Sequence, residues 1–565
     1  MSDRLQISSG LPSEETNSEL ECFPYGVHHD NEGVCLLVRM GPYRILLDCG
    51  LTDVSALQQG LKQLPADLVL CSHAHPDHAR GLLALHQAFD LLPIYASEAT
   101  THLLPLNWSE VELGKTGQFC QALPWRSPIE FQDGLTAELF PAGHLPGAAA
   151  ILLTYTTPRR TYTLFYTGDF FLSNMRLVEG LPLEELRGLE PDVLVIEGSY
   201  GTARHAHRRN QENTLAERIN RAIASSYSVL LPTPSLGLGQ EILMLLRSHH
   251  NFTGRNLDIW VDGNVAKGCD AYLELLPHLP TSVQNFAKHQ SLFWDERVRP
   301  RMRRLEPEQR GTIGHPCIIL TDETADFNQY CQPNTGPWLI LVPEKPGYSL
   351  DSLQTNLSDP PGNKTKVLNP ALLAQTEIET YLLAQHSDGP GTTQLIHNLR
   401  PKHVIFVHGS PTYLADLASL EELRNRYHLH SPAPGTLVEL PIGEMFLQPA
   451  APEANYEGEL NELETVVTIT LPDAITADPR WRSFADTGLV SARWQGEELV
   501  LRGLSPREIL NTSSDREPWT DLNCCAICKF HRGQRCWNPD SPLFGFKVTP
   551  EGYCPAFERK TEPAE

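Results

Sequence analysis

Four apolar runs, well separated in this chain, each end at an acid or a histidine. Arg44–Leu47 ends at Asp48, Leu68–Cys71 just before His73, Tyr162–Tyr166 just before Asp169, and Val193–Ile196 at Glu197. A fifth run, Leu135–Phe140, stops just short of Gly143-His144. Short stretches of aliphatic, β-branched and aromatic residues bounded by Gly, Pro, Asn or Asp read as strands. Strands that repeatedly hand over to chemically active residues gather those residues along one edge of a sheet. The predicted fold is α/β, a sandwich with a site mounted on its edge.

The densest of these handovers is His73-Ala74-His75-Pro76-Asp77-His78. Three imidazoles and a carboxylate within six residues suit a borderline-soft divalent cation, and a strand-end loop can aim them at one point. A lone histidine is usually a core or surface residue; three with an acid at this spacing point to a metal site. The remaining histidines, among them His28-His29, His86, His102, His249-His250 and His315, lack partners at ligand spacing and are expected to be structural or exposed.

With 565 residues the chain exceeds one core, and about three or four domains are expected. From about residue 202 the alternation of helix and strand starts afresh. Helices are expected over Gln211–Ser225 and Gln240–Arg247, and strands over Val229–Leu231, Leu257–Val261, Cys317–Leu320 and Trp338–Val342, which implies an inserted parallel-sheet domain. The first style returns with Ile378–Leu383, leading into Gln385-His386-Ser387-Asp388, and with Val404–Val407, leading into His408-Gly409. The expected division is a polar arm over 1–22, a first domain over 23–201 that resumes over 373–449, and an insert at 202–372. A Pro- and Glu-rich linker at 450–464, a small accessory domain at 465–515 and a Cys-rich tail at 516–560 follow.

No apolar run is long enough to span a bilayer, and the polar opening Met1-Ser2-Asp3-Arg4 has no signal-peptide pattern, so a cytoplasmic protein without membrane contact is expected. The net charge of −24 argues against non-specific nucleic-acid binding, which needs clustered Lys and Arg. Two divalent cations on neutral histidines and two aspartates would nonetheless leave a local charge of about +2. Two basic clusters stand out: Arg204, Arg208 and Arg209, offered as nucleic-acid contacts, and Arg297–Arg304 beside Trp294. Either reads equally well as a solvated face.

These motifs, in this order, resemble the metallo-β-lactamase superfamily and its β-CASP nuclease branch, over roughly residues 24–447. Asp48, the His73–His78 run, His144 and Asp169 match the superfamily's four motifs; Glu197, His386 and His408 match the branch's own three. The resemblance implies an αββα sandwich with an inserted β-CASP domain and a zinc-dependent hydrolase cutting phosphodiester bonds of RNA. One Zn²⁺ would take His73, His75 and His144, a second Asp77, His78 and His408, with Asp169 bridging both. A carboxylate has two oxygens and can serve two cations, which suits Asp169 to that place. Asp48 would orient a ligand, and His386 paired with Glu197 would protonate the leaving oxygen; Asp48, Asp77, Asp169, Glu197 and His386 are thus the catalytic set.

The chain departs from this pattern twice. Relatives carry an Arg where this chain has Leu238, in Leu236-Gly237-Leu238-Gly239-Gln240-Glu241. They present Ser-Ser-Gly where it has Thr321-Asp322-Glu323-Thr324, and two acids there would repel a phosphate. Another phosphoester or ester substrate is therefore the alternative, and a subunit binding RNA or a ribonucleolytic partner with weak catalysis is the third reading. A homo-oligomer is compatible with any of them.

Eight of the thirteen cysteines are scattered singly, as in a reduced cytosolic protein, but five lie between Cys524 and Cys554. Cys525, Cys528, Cys536 and Cys554 have the paired spacing of a tetrathiolate site, with Cys524 as a substitute. So short a segment buries little apolar surface and commonly needs a metal to fold. A further Zn²⁺, an iron–sulfur cluster and unmetallated thiols all fit.

Overall fold

The computed structural model describes residues 20–29, 32–58, 64–108, 119–332, 335–344 and 376–442, and beyond them 455–457, 459–463, 466–470, 490–495, 498–503, 528–532, 535–539 and 558–559. The chain divides into two compact units, one of Met1–Thr393 and Arg400–Met445, the other of Gln394–Leu399 and Phe446–Glu565.

In the first unit the chain lays down β1 (Leu20–Val27), β2 (Val34–Met40), β3 (Tyr43–Leu47), β4 (Leu68–Leu70), β5 (Ile94–Ser97) and β6 (Cys120–Leu123). It continues with β7 (Ile129–Gln132), β8 (Leu135–Pro141), β9 (Ala149–Thr156), β10 (Thr161–Tyr166) and β11 (Val193–Glu197). Six further strands follow: β12 (Ser228–Thr233), β13 (Asp258–Val261), β14 (Arg301–Arg304), β15 (Ile318–Asp322), β16 (Trp338–Pro343) and β17 (Thr376–Tyr381). The last three are β18 (His403–Val407), β19 (His428–His430) and β20 (Val438–Glu439).

These strands build three sheets, in the orders β20-β1-β2-β3-β4-β5-β6, β19-β18-β11-β10-β9-β8-β7 and β14-β13-β15-β12-β16-β17. The first two share one core. Alternate residues of the first sheet (Leu36, Val38, Ile45, Leu47, Leu68, Leu70) cluster with alternate residues of the second (Leu135, Leu139, Ile151, Leu153, Leu164, Val193, Val195, Ile405). Burying such a side chain contributes roughly 1.5–3 kcal/mol. A one-residue slip would turn a strand's whole inward set to water, so the register is firmly held. Every residue of β11 and of β18 is buried, as expected for parallel strands covered on both faces.

β11 and β18 are parallel neighbours, with Val193 opposite His403 and Glu197 opposite Val407, although the whole third sheet lies between them in sequence. That pairing brings the end of one half of the chain beside the end of the other. The third sheet is entirely parallel and has its own core around Leu230, Ile319, Trp338 and Ile340. Helices Arg208–Ala224, Leu238–Ser248 and Gly263–Glu274 alternate with its strands.

Two boundaries differ from expectation. Ile378–Leu383 was expected to begin the resumed first domain at 373, but β17 pairs in register with β16 in the third sheet, so the return comes only after Tyr381. An apolar edge strand reads alike whichever sheet receives it. The stretch 450–464, expected to be a linker, contains strands Asn455–Glu457 and Glu459–Leu463, the second pairing with Val466–Thr470. In the expected accessory domain, strand Glu498–Gly503 pairs with Val490–Gln495. Among the described residues, no helix is long and apolar enough to cross a membrane.

Candidate metal centre

The strand ends meet as the sequence pattern predicts. β4 runs out at Leu70 and the chain turns through His73 into a short helix, Pro76–Ala79, which begins after His75 with Pro76 in its first turn. A proline there lacks only an N–H that the helix would leave unpaired. Asp77 and His78 ride on that helix. The loop after β3 clamps it: Cys49 N–H donates to the His78 carbonyl at 2.8 Å, and Gly81 N–H to the Cys49 carbonyl at 2.8 Å. At Gly50 a Cβ would lie 1.7 Å from the Asp77 carbonyl oxygen, so only glycine admits this approach.

His73, His75 and His144 converge on Asp169. His73 Nε2 is 3.3 Å from His75 Nδ1 and 3.3 Å from Asp169 Oδ2; His144 Nε2 is 2.9 Å from His75 Nδ1 and 3.6 Å from Asp169 Oδ2. A tetrahedral zinc with Zn–N of about 2.0–2.1 Å has ligand atoms about 3.3 Å apart. The four donors already stand at that spacing. Burial pushes all three histidines down, assisted by His78 at His73, by His73 at His75 (to about 3) and by His386 at His144. Neutral imidazoles with free lone pairs result, which is the form that binds a metal.

The other oxygen of Asp169 faces a second group. Asp169 Oδ1 is 3.2 Å from His78 Nε2 and 2.9 Å from His408 Nδ1, while His408 Nε2 is 3.2 Å from Asp77 Oδ2. His78 Nε2 and Asp169 Oδ1 are buried without a hydrogen-bond partner. Buried polar atoms are normally satisfied, so this pair of orphans fits a cation between them. Burial opposes charge on His78, but the Asp169 and Asp48 carboxylates outweigh it and lift the imidazole to about 10. His408 is likewise raised, chiefly by Asp169 against its burial. Burial alone would raise Asp169 and Asp77, yet the surrounding histidines, His408 foremost, hold both well below the usual carboxylate range.

Asp48 accepts four hydrogen bonds: from Ser72 N–H at 2.6 Å, Ser72 Oγ at 2.7 Å, Tyr166 Oη at 2.6 Å and His78 Nδ1 at 2.6 Å. It fixes the His78 ring with Nε2 turned to the centre, the outer carboxylate–histidine arrangement common around metals. Asp48 and His408 both take left-handed backbone (φ 58° and 52°), uncommon for side chains of their size. Ser72 and Tyr166 escaped sequence reading because nothing in their local pattern marks them.

His386 lies just beyond, its Nδ1 2.9 Å from Glu197 Oε2 and 3.9 Å from Asp169 Oδ2. Glu197 outweighs the effect of burial and raises the histidine; His386 in turn lowers Glu197. Ser199, not foreseen from sequence, donates to Glu197 Oε2 and sits 3.1 Å from His408 Nδ1. The segment carrying His386 is pinned from two sides: Ser387 N–H donates to the Phe170 carbonyl at 3.0 Å, and His144 Nδ1 bonds the Gln385 carbonyl at 2.9 Å.

A cavity of about 380 Å³ opens over this group, with His75, Asp77, Asp169, His386 and His408 in its floor. Leu238, Asp322, Glu323 and Thr324 all line it, so both departures noted in the sequence face the same space.

No arginine of either basic cluster lines the cavity. Arg208 is turned inward, 3.5 Å from both Glu212 and Glu241, and donates to the Ala384 carbonyl; it braces the His386 segment and is not offered to a polyanion. Arg204 and Arg209 are exposed. In the Arg297–Arg304 run, Arg301 pairs with Asp258 and Arg303 with Glu296, both at 2.6 Å, and Arg304 pairs with Asp270 while lying over Trp294. That charge is spent locally. His29, expected to be structural or exposed, instead lines the cavity. β1 ends at Val27, so the strand-end pattern also points to it, but the expected arm over 1–22 takes in the first three residues of that strand. In the tail, Cys528 and Cys536 are buried; Cys524, Cys525 and Cys554 lie outside the described residues.

A two-sheet α/β sandwich carrying a buried His/Asp cluster at its strand ends defines a metallo-hydrolase. Comparison with known proteins agrees: residues 43–221 match the Beta-lactamase superfamily domain, and 374–430 the Zn-dependent metallo-hydrolase RNA specificity domain. The two stretches together hold every residue of the His/Asp/Glu cluster named in the sequence. An uncharacterized protein of Synechocystis sp. is 48% identical over 556 residues, 96% of this chain and 97% of that one. A Methanocaldococcus jannaschii protein named "Probable RNase MJ4" is 29% identical over 254 residues (40% of this chain, 56% of that one), and the endoribonuclease ysh1 of Schizosaccharomyces pombe 24% over 465 (76% and 58%). The chain spans a little over half the length of these last two. It belongs to the metallo-β-lactamase superfamily, in the β-CASP branch of RNA nucleases.

Proposed function

We propose that this chain is a zinc-dependent nuclease that hydrolyses phosphodiester bonds of RNA through a dinuclear centre. The observation that carries this reading is the convergence of His73, His75 and His144 on one oxygen of Asp169, with the His386–Glu197 pair beside them. One cation would be held by His73, His75 and His144, the second by Asp77, His78 and His408, with Asp169 between. The cation pair supplies Lewis acidity, which activates water near neutral pH and offsets charge developing on the phosphoryl group.

The chain's own residues do the rest. Asp48 holds His78 Nδ1 and so keeps Nε2 directed at the centre. Glu197 binds His386 Nδ1, stabilising the imidazolium and leaving the Nε2 proton for the departing oxygen of the cleaved ester. Arg208 and Gln211 hold Ala384 by its carbonyl and its N–H, which keeps His386 in place. The α/β layer of β12–β17 would be the β-CASP insert, closing the cavity from the side opposite the His73–His78 loop. The cysteine tail would take a further Zn²⁺ or an iron–sulfur cluster, and the protein would act in the cytoplasm.

Purified protein should cleave single-stranded RNA with Zn²⁺ or Mn²⁺ present. Asp77→Ala and His386→Ala should each abolish cutting, with metal content preserved in the second. Undiminished cutting by both variants removes the mechanism. A second reading rests on Leu238, Asp322 and Glu323 in the cavity wall, an apolar and acidic surface ill-suited to a polyanion: hydrolysis of a smaller phosphoester or ester. Small diesters turning over while RNA and DNA do not would establish it.

A further inference from the structure

His29 has no role in the scheme above. It follows β1, where the chain leaves Val27, and its Nε2 is buried without a hydrogen-bond partner. Its ring meets that of His408 edge-on, with centroids 4.0 Å apart. One of its nitrogens lies within 4.8 Å of donor atoms on both Asp77 and His408.

The chemistry of this side of the centre leaves room for a further donor. His408 is engaged through Nδ1 with Asp169 and Ser199, and only its Nε2 looks toward Asp77. Asp77, His78, His408 and Asp169 would give the second cation four donors, and zinc in a catalytic site can take a fifth. An imidazole nitrogen buried with nothing to bond is unfavourable, and one placed beside two converging donors is where a cation would use its lone pair.

We propose that His29 is a metal ligand: it joins Asp77 and His408 as a further donor in the protein's hold on the second cation. This rests on the dinuclear reading and adds to it a residue outside the seven motif positions. His29 then tunes how tightly the outer cation is retained, leaving the His73–His75–His144 site untouched.

The test is titration of metal-free, full-length protein with Co²⁺, followed by its visible ligand-field absorption, for wild type, His29→Ala and His29→Phe. The Phe variant keeps a flat ring against His408 but has no lone pair. Wild type should take up two equivalents at this centre. Both variants should bind the first equivalent as wild type does and the second at least tenfold more weakly, with a changed spectrum for that equivalent. Loss of even an outer hydrogen-bond partner of a ligand costs roughly 10–100-fold in affinity. Unchanged second-equivalent affinity and spectrum in His29→Phe overturn the proposal and leave His29 a packing residue. So does lowered RNA cleavage with metal binding intact. If wild type itself takes fewer than two equivalents, the dinuclear reading fails, and the His29 assignment with it.

Discussion

At the scale of single residues, the centre depends on carboxylates that hold histidines in chosen protonation states. Glu197 and His386 are the clearest pair, 2.9 Å apart with the glutamate fully buried. His386 is raised above its ordinary value because the Glu197 charge outweighs burial. A general acid works while protonated, so its contribution is complete at low pH and fades as pH rises through that raised pKa. Glu197→Gln removes the attraction, and the alkaline limb of the kcat profile should move to lower pH. The maximal rate should fall by less than the roughly 10²–10⁴-fold expected for loss of the acid itself. A pH–rate profile on RNA decides this; an unmoved limb would show that His386 does not carry the proton.

At the scale of elements, the second metal group depends on how closely a loop approaches a four-residue helix. Gly50 touches the Asp77 carbonyl, and the main chain of Cys49 bonds that of His78 and Gly81. Gly50→Ala must push the Pro76–Ala79 helix aside. Overpacking of this kind costs about 1–3 kcal/mol, read as a lower urea midpoint. Because Asp77 and His78 move with the helix, the variant should also retain less metal after dialysis than wild type. Equal metal content with an equal midpoint would show that the glycine contact does not place these ligands. The helical stretch after Pro76 is broken for the same reason: Gly81 sits against Cys49, and a second helix begins at Leu82.

At the scale of the whole molecule, a chain of net charge −24 would be acting on a polyanion. Arg208, Arg301, Arg303 and Arg304 of its basic clusters are paired within the protein, and Asp322 and Glu323 line the cavity. Long-range repulsion then slows encounter, and salt relieves it, since the screening length falls from about 30 Å at 0.01 M to about 10 Å at 0.1 M. The kcat/KM for RNA should therefore rise over this range, opposite to the trend of a nuclease that binds through exposed basic residues. A monotonic fall with salt would mean that a basic surface guides the substrate.

The chain's chemistry was legible before its shape. Strand-ending acids and histidines announce themselves because strand propensity is local and ligand chemistry belongs to residue type. Asp48, His73, Asp169 and Glu197 were found from that alone, and the family order of motifs added the remaining cluster residues. Partnership between distant segments is not written locally. β17 joins the third sheet, Arg208 folds inward onto Glu212 and Glu241, and His29 enters the cavity because packing over the whole unit selects those neighbours. An apolar strand, an arginine and a histidine look the same in sequence whichever partner they meet, so only the tertiary structure decided between support, substrate wall and ligand.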